Sequence, residues 1–196
     1  APEHPFPAAV EDSVVIYLAL LQEGYKSEHI ALTGDSSGGS LALATVISLR
    51  VAGPPLPAAL ALISPGTSDM TYRGDTRITL LDWDAWLSGN DREDILAQYV
   101  RDTDLRNPLV SPIFADYNGF PPMLIQVGTR EWLLSDSVRL ARRAREANVD
   151  VTLDVWDGMW HSFHIMWPHV PESREACTEM AEFLRPKILH NHKATR

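Results

Sequence analysis

A chain of 196 residues, 45% hydrophobic and 22% charged, has the material for one compact, cored domain over 1–196, which excludes a disordered chain. Its 17 basic residues against 26 acidic ones leave a formal net charge of −9, so it lacks the positive field that holds a phosphate backbone, and nucleic acid is excluded as a partner. A single cysteine, Cys177, rules out an internal disulfide and reads as a packed thiol within an amphipathic helix over Glu172–Leu184.

The chain opens on Ala1-Pro-Glu-His-Pro-Phe-Pro7, without the basic and apolar regions of a signal peptide. Together with the lone cysteine, this makes the cytoplasm the default compartment. Pro7 suits the first turn of a helix whose apolar positions Val10, Val14, Leu18 and Leu21 share one side, and Gly24 is placed to end it. Ile30–Thr33 is a short apolar run that breaks at Gly34-Asp-Ser-Ser-Gly-Gly39 and gives way to a helix from Ser40 to about Arg50, stopped by Gly53-Pro-Pro55. Ala58–Ile63 reads as a buried strand, and like Val14–Leu21 it is too short to span a bilayer, so no membrane anchor is predicted.

After a polar stretch over Ser64–Arg77, Asp82–Asp102 reads as helical with a break at Gly89-Asn90. A loop marked by Pro108, Pro112, Pro121 and Pro122 leads into a strand at Met123–Val127, and a helix follows from about Ser135 to Ala147 with its arginines on the wet side. Val151, Leu153 and Val155 alternate with polar residues as in a half-buried strand, which runs into Asp157-Gly-Met-Trp-His161. A polar tail is expected over 185–196. The alternation of strands and helices predicts an α/β fold, a mainly parallel sheet flanked by helices, with its chemistry at the carboxyl ends of the strands.

Gly34-Asp35-Ser36-Ser37-Gly38 fits G-x-S-x-G, the pattern that pushes a serine out of a strained strand-to-helix turn. Read alone, the same residues describe a flexible turn; a P-loop is excluded because no Gly-Lys-Ser/Thr follows. A serine hydroxyl needs a base to take its proton and a third group to orient that base. Of the seven histidines, only His161 and His164 lie just beyond a predicted strand. His161 is favoured because it sits in the loop itself, whereas His164 enters the next helix and reads as structural; His190 and His192 belong to the tail. A metal pair at His161 and His164 is disfavoured, since no further ligand stands at a suitable interval. For the acid, Glu131 follows a buried strand and is favoured over Asp136, which has a structural role as a first-turn residue complementing a helix dipole. The order serine, acid, histidine is that of α/β-hydrolases.

With these residues placed, the chain resembles the hormone-sensitive lipase family of carboxylesterases within the α/β-hydrolase superfamily. The resemblance runs from Ala1 to about Leu184 and is carried by Ala1–Asp12, Gly34–Gly39, Asn107–Pro112, Pro121–Leu124 and Asp157–His161. It implies Ser36 as nucleophile, Glu131 where many members have aspartate, His161 as general base, and the Ser37 N–H as one oxyanion donor, with Gly34, Asp35 and Gly38 shaping the elbow. It further implies short-chain or aryl esters as substrates and no cofactor or metal. The family's His-Gly-Gly-Gly motif is absent and would lie upstream of Ala1, so a partial α/β-hydrolase fold is expected. Removing one oxyanion donor from a protease costs about 10²- to 10³-fold in turnover, so weak activity is expected of this chain. Strands missing beside Ile30–Thr33 would leave an apolar edge open to pairing with a second copy. The rival readings are an amidase, peptidase or acyltransferase built on the same elbow, or an inactive truncated domain that binds a small ligand or a partner.

Overall fold

Near-continuous apolar runs, interrupted in the second by Gln126, make the two inner strands of the sheet, as strands covered on both faces require. In the computed structural model, which describes residues 1–66, 70–71, 73–80, 83–87 and 96–189, these are β2 (Ala59–Ile63), buried through Leu62, and β3 (Met123–Gly128), buried throughout. The outer strands are β1 (Ala31–Asp35) and β4 (Val151–Trp156), and all four run parallel in the order β1-β2-β3-β4. Every strand therefore ends at the same edge of the sheet, where Asp35, Ile63, Gly128 and Trp156 are its last residues.

Helix α1 (Ala8–Gln22) buries Val10 and Tyr17 and is followed by Gly24 at φ 96°, the left-handed position that ends a helix most readily at glycine. It packs against α2 (Ser37–Ala52), which is apolar nearly all round because it lies between α1 and the sheet. Leu43, Val46 and Leu49 are fully buried there, each stabilising by roughly 1.5–3 kcal/mol. The main core joins α2 to β2, β3 and helix α4 (Leu134–Glu146) through Leu43, Leu62, Ile125 and Leu140. Helix α5 (Pro171–Ile188) packs on β2 and β3, with Ala176 fully buried and Cys177 half-buried, its thiol pKa pushed up by burial.

Several expectations shift. Helix α2 starts at Ser37 rather than Ser40, so the turn between β1 and α2 is the single residue Ser36; Gly34 and Gly39 serve close approach there rather than breaking the helix. Val155 is 46% exposed, because β4 is an outer strand and only Val151 and Leu153 reach the core. Helix α5 continues to Ile188, four residues' worth of helix (185–188) inside the predicted tail, with Arg185 and Lys187 favourably placed at its carboxyl end; 190–196, with His190 and His192, lie outside the described residues. Of the helix expected over 82–102, residues 82 and 88–95, with Gly89-Asn90, also lie outside. Trp83–Leu87 is not helical, since Asp84 accepts the backbone N–H groups of Trp86 and Leu87, and Leu96–Val100 forms a π-helical turn. A short helix α3 (Thr76–Thr79) lies beside α4. Among the described residues, no helix is long and apolar enough to cross a membrane.

Candidate active site

The site grows from the end of β1. Ser36 adopts φ 54° and ψ −120°, a backbone that side chains rarely take and that costs of order 1–3 kcal/mol. Its surroundings hold it there: its N–H donates to Ile63 O at 2.9 Å, while its carbonyl accepts from Gly39 and Gly66, both at 2.9 Å. The turn closes so tightly that a Cβ on Gly34 would stand 2.1 Å from the carbonyl oxygen of Gly38. Gly34→Ala is therefore expected to open the elbow and leave little folded chain, measurable as loss of the thermal transition. Gly38, the last glycine of the pattern, has open space where a Cβ would go, so its side-chain space is not what the turn requires. Ser37 is exposed at the amino end of α2, where the helix dipole favours negative charge.

Glu131 follows β3 and is fully buried. One carboxylate oxygen, Oε1, accepts from the Gly128 N–H at 2.6 Å and from the Ser64 hydroxyl at 2.8 Å, and the other, Oε2, lies 3.0 Å from His161 Nδ1. Since a carboxylate only accepts, the proton sits on Nδ1, and Nε2 presents its lone pair to the Ser36 hydroxyl 3.0 Å away. His161 reaches this position because its loop crosses directly over the end of β3: the Arg130 N–H donates to Met159 O at 2.9 Å, and a Cβ on Gly128 would stand 2.1 Å from that same oxygen. The structure thus brings Ser36, His161 and Glu131 into one hydrogen-bonded line at the carboxyl ends of β1, β3 and β4.

The alternative residues go elsewhere. Asp136 is fully buried in the first turn of α4, where Arg77 donates to its Oδ2 through both Nε and Nη2. His164 is buried, donates from Nε2 to Gln126 Oε1 at 3.0 Å, and the Gln126 amide donates on to Ala176 O at 3.1 Å. Burial pushes the His164 pKa from its ordinary 6.5 down to about 4. The imidazole is neutral in the fold but protonated in the unfolded chain between those values, so the unfolded state binds more protons and stability falls as pH drops from 6.5 to 4. A loss of about 3 kcal/mol across that window is expected in urea unfolding, absent in His164→Gln.

Ser64 was not singled out in the sequence, although it stands one residue beyond β2, at the same edge as the others; nor was the contact in which the Ser162 hydroxyl donates to Asp35. A cavity of about 480 Å³ opens beside Ser36, lined by Ala1, Ala9, Leu41, Ala44, Tyr99, Leu109 and Val110 together with the polar His4, Ser37 and Ser40 and with Gly38. Among the described residues, no group of three or more His, Cys, Asp or Glu side chains converges to hold a metal ion.

Comparison with known proteins adds to this geometry. Residues 1–165 match a family described by the alpha/beta hydrolase fold. The chain is 42% identical over 184 residues to an acetyl-hydrolase of Streptomyces hygroscopicus, covering 94% of this chain and 61% of that protein. It is 38% identical over 185 residues to an esterase of Acinetobacter venetianus, covering 93% of this chain and 60% of that protein. The crystal structure of an esterase from the bacterial hormone-sensitive lipase family superposes with a TM-score of 0.93 at 44% identity, covering 96% of this chain and 63% of that one. The chain thus spans about 60% of the length of the curated relatives it matches.

Proposed function

Because this chain belongs to the hormone-sensitive lipase family of esterases, with the α/β-hydrolase fold, we propose that it carries the nucleophile, base and acid of a carboxylic ester hydrolase: Ser36, His161 and Glu131. The observation that supports this most is the line Ser36 Oγ, His161 Nε2, His161 Nδ1, Glu131 Oε2, with 3.0 Å at each hydrogen bond. In the proposed reaction His161 Nε2 takes the hydroxyl proton as Ser36 Oγ attacks the ester carbonyl carbon. Glu131 stabilises the imidazolium, and the Ser37 N–H at the head of α2 is one donor to the oxyanion. His161 then returns the proton to the leaving alcohol, and a water molecule, deprotonated in its turn by His161, releases the acid from the acyl-enzyme.

Small acyl groups are the substrates we propose. The cavity of about 480 Å³ beside Ser36 has mostly apolar walls, and the Streptomyces relative is named an acetyl-hydrolase. A fluorescent fluorophosphonate tests the assignment. The expected result is one adduct mapped to Ser36 and lost in His161→Ala. A folded chain that takes no label, or takes it elsewhere, overturns the assignment and favours a non-catalytic domain.

A further inference from the structure

We propose that Ser162 is a positioning residue which, with Asp35, locks the histidine loop to the ends of the other strands and so holds His161 between Ser36 and Glu131. This rests on the catalytic reading of those three residues. Ser162 directly follows His161 and is itself buried. Its backbone N–H donates to Ser64 Oγ at 3.2 Å, and Ser64 spends its one hydroxyl proton on Glu131 Oε1 at 2.8 Å. Its side-chain hydroxyl donates to Asp35 Oδ1, on the residue immediately before Ser36. The neighbour of the base is therefore bonded to the neighbour of the nucleophile and, through one hydroxyl, to the acid.

Two further features point the same way. Ser162 has φ 54° and ψ 33°, a left-handed backbone that glycine or asparagine adopts more readily. A serine there is accounted for by what its hydroxyl holds. Moreover, His161 is carried on a loop, and its ring makes two polar contacts, one to Ser36 and one to Glu131. Misplacement of a reacting group by about 1 Å can cost roughly 10²-fold in rate, so the anchor beside the ring sets whether both contacts are met together. Asp35 gains a role here that the elbow pattern alone does not give it.

The test uses the whole chain with Ser162→Gly, which keeps the left-handed backbone and removes the hydroxyl, and with Asp35→Ala, Asp35→Asn and the Ser162→Gly/Asp35→Ala double variant. The first readout is the NMR signal set of the His161 ring, which needs no catalysis; the second is the rate of fluorophosphonate labelling. Ser162→Gly and Asp35→Ala are each expected to shift or broaden the His161 signals and to slow labelling by roughly 10-fold or more. Asp35→Asn, which keeps an oxygen for the hydroxyl, recovers most of both. The double variant is no worse than the worse single one, as for two halves of one contact. Unmoved His161 signals in folded Ser162→Gly, or effects of the two single changes that multiply, overturn the lock. If the ring signals respond as expected while the wild-type chain takes no label, the lock stands and the catalytic reading falls.

Discussion

Ser36→Ala is expected to lower hydrolysis of a short-chain aryl ester by roughly 10⁴- to 10⁶-fold relative to the unaltered chain, the range seen when the nucleophile of a serine triad is removed. The size follows from what remains. Without Oγ no acyl-enzyme forms, and the reaction falls back on direct attack by water, helped only by substrate binding and oxyanion donors. Alanine leaves the elbow itself in place, because the three hydrogen bonds that hold Ser36 in its strained backbone are all main-chain bonds, to Ile63, Gly39 and Gly66. The variant should therefore match the parent in circular dichroism and thermal midpoint while losing turnover. Turnover within about tenfold of the parent, in a protein free of contaminating esterase, would remove Ser36 from the reaction.

Much of the site was legible in the sequence because its parts are local signals. A run such as Met123–Val127, apolar but for Gln126 and without alternation, reads directly as a buried parallel strand, and a residue just after such a strand is a candidate by position alone. Position after a strand singled out Glu131 and His161 as candidates, and the G-x-S-x-G pattern singled out Ser36. What stayed hidden depends on contacts distant in sequence. Ser64 looked like the start of a polar loop, and only the folded chain puts its hydroxyl between Glu131 and Ser162. Asp35 and Ser162 are 127 residues apart, and no periodicity links them. The glycine pattern was read as one signal, yet the fold distinguishes its members: Gly34 faces the Gly38 carbonyl at contact distance, whereas Gly38 itself has room for a side chain. The exposed Val155 has the same origin, since alternation reports which face a residue is on but not whether the sheet continues beyond it.

The two carboxylates that competed for the role of acid should separate by experiment into one that acts on rate and one that acts on stability. Asp136→Ala is expected to destabilise the chain by about 3–5 kcal/mol, the usual cost of removing one member of a buried ion pair. Asp136 is fully buried and the Arg77 side chain is 6% exposed, so the guanidinium left behind can reach little water. Arg139, whose Nη1 lies 3.6 Å from Asp136 Oδ1, is 36% exposed, so its longer contact with that carboxylate is screened by water and contributes less. Against a total stability of about 5–15 kcal/mol for a typical domain, a loss of that size leaves a substantial unfolded fraction near physiological temperature. Replacing both members with apolar residues of similar volume, Arg77→Met with Asp136→Leu, should recover most of the loss, because the desolvation penalty of both charges disappears together. Glu131→Gln should do the reverse, keeping the urea midpoint within a small shift while turnover falls by about 10⁴-fold, as a neutral amide leaves the imidazole in the wrong tautomer. An Asp136→Ala chain that stays fully folded yet loses turnover would return Asp136 to contention as the acid.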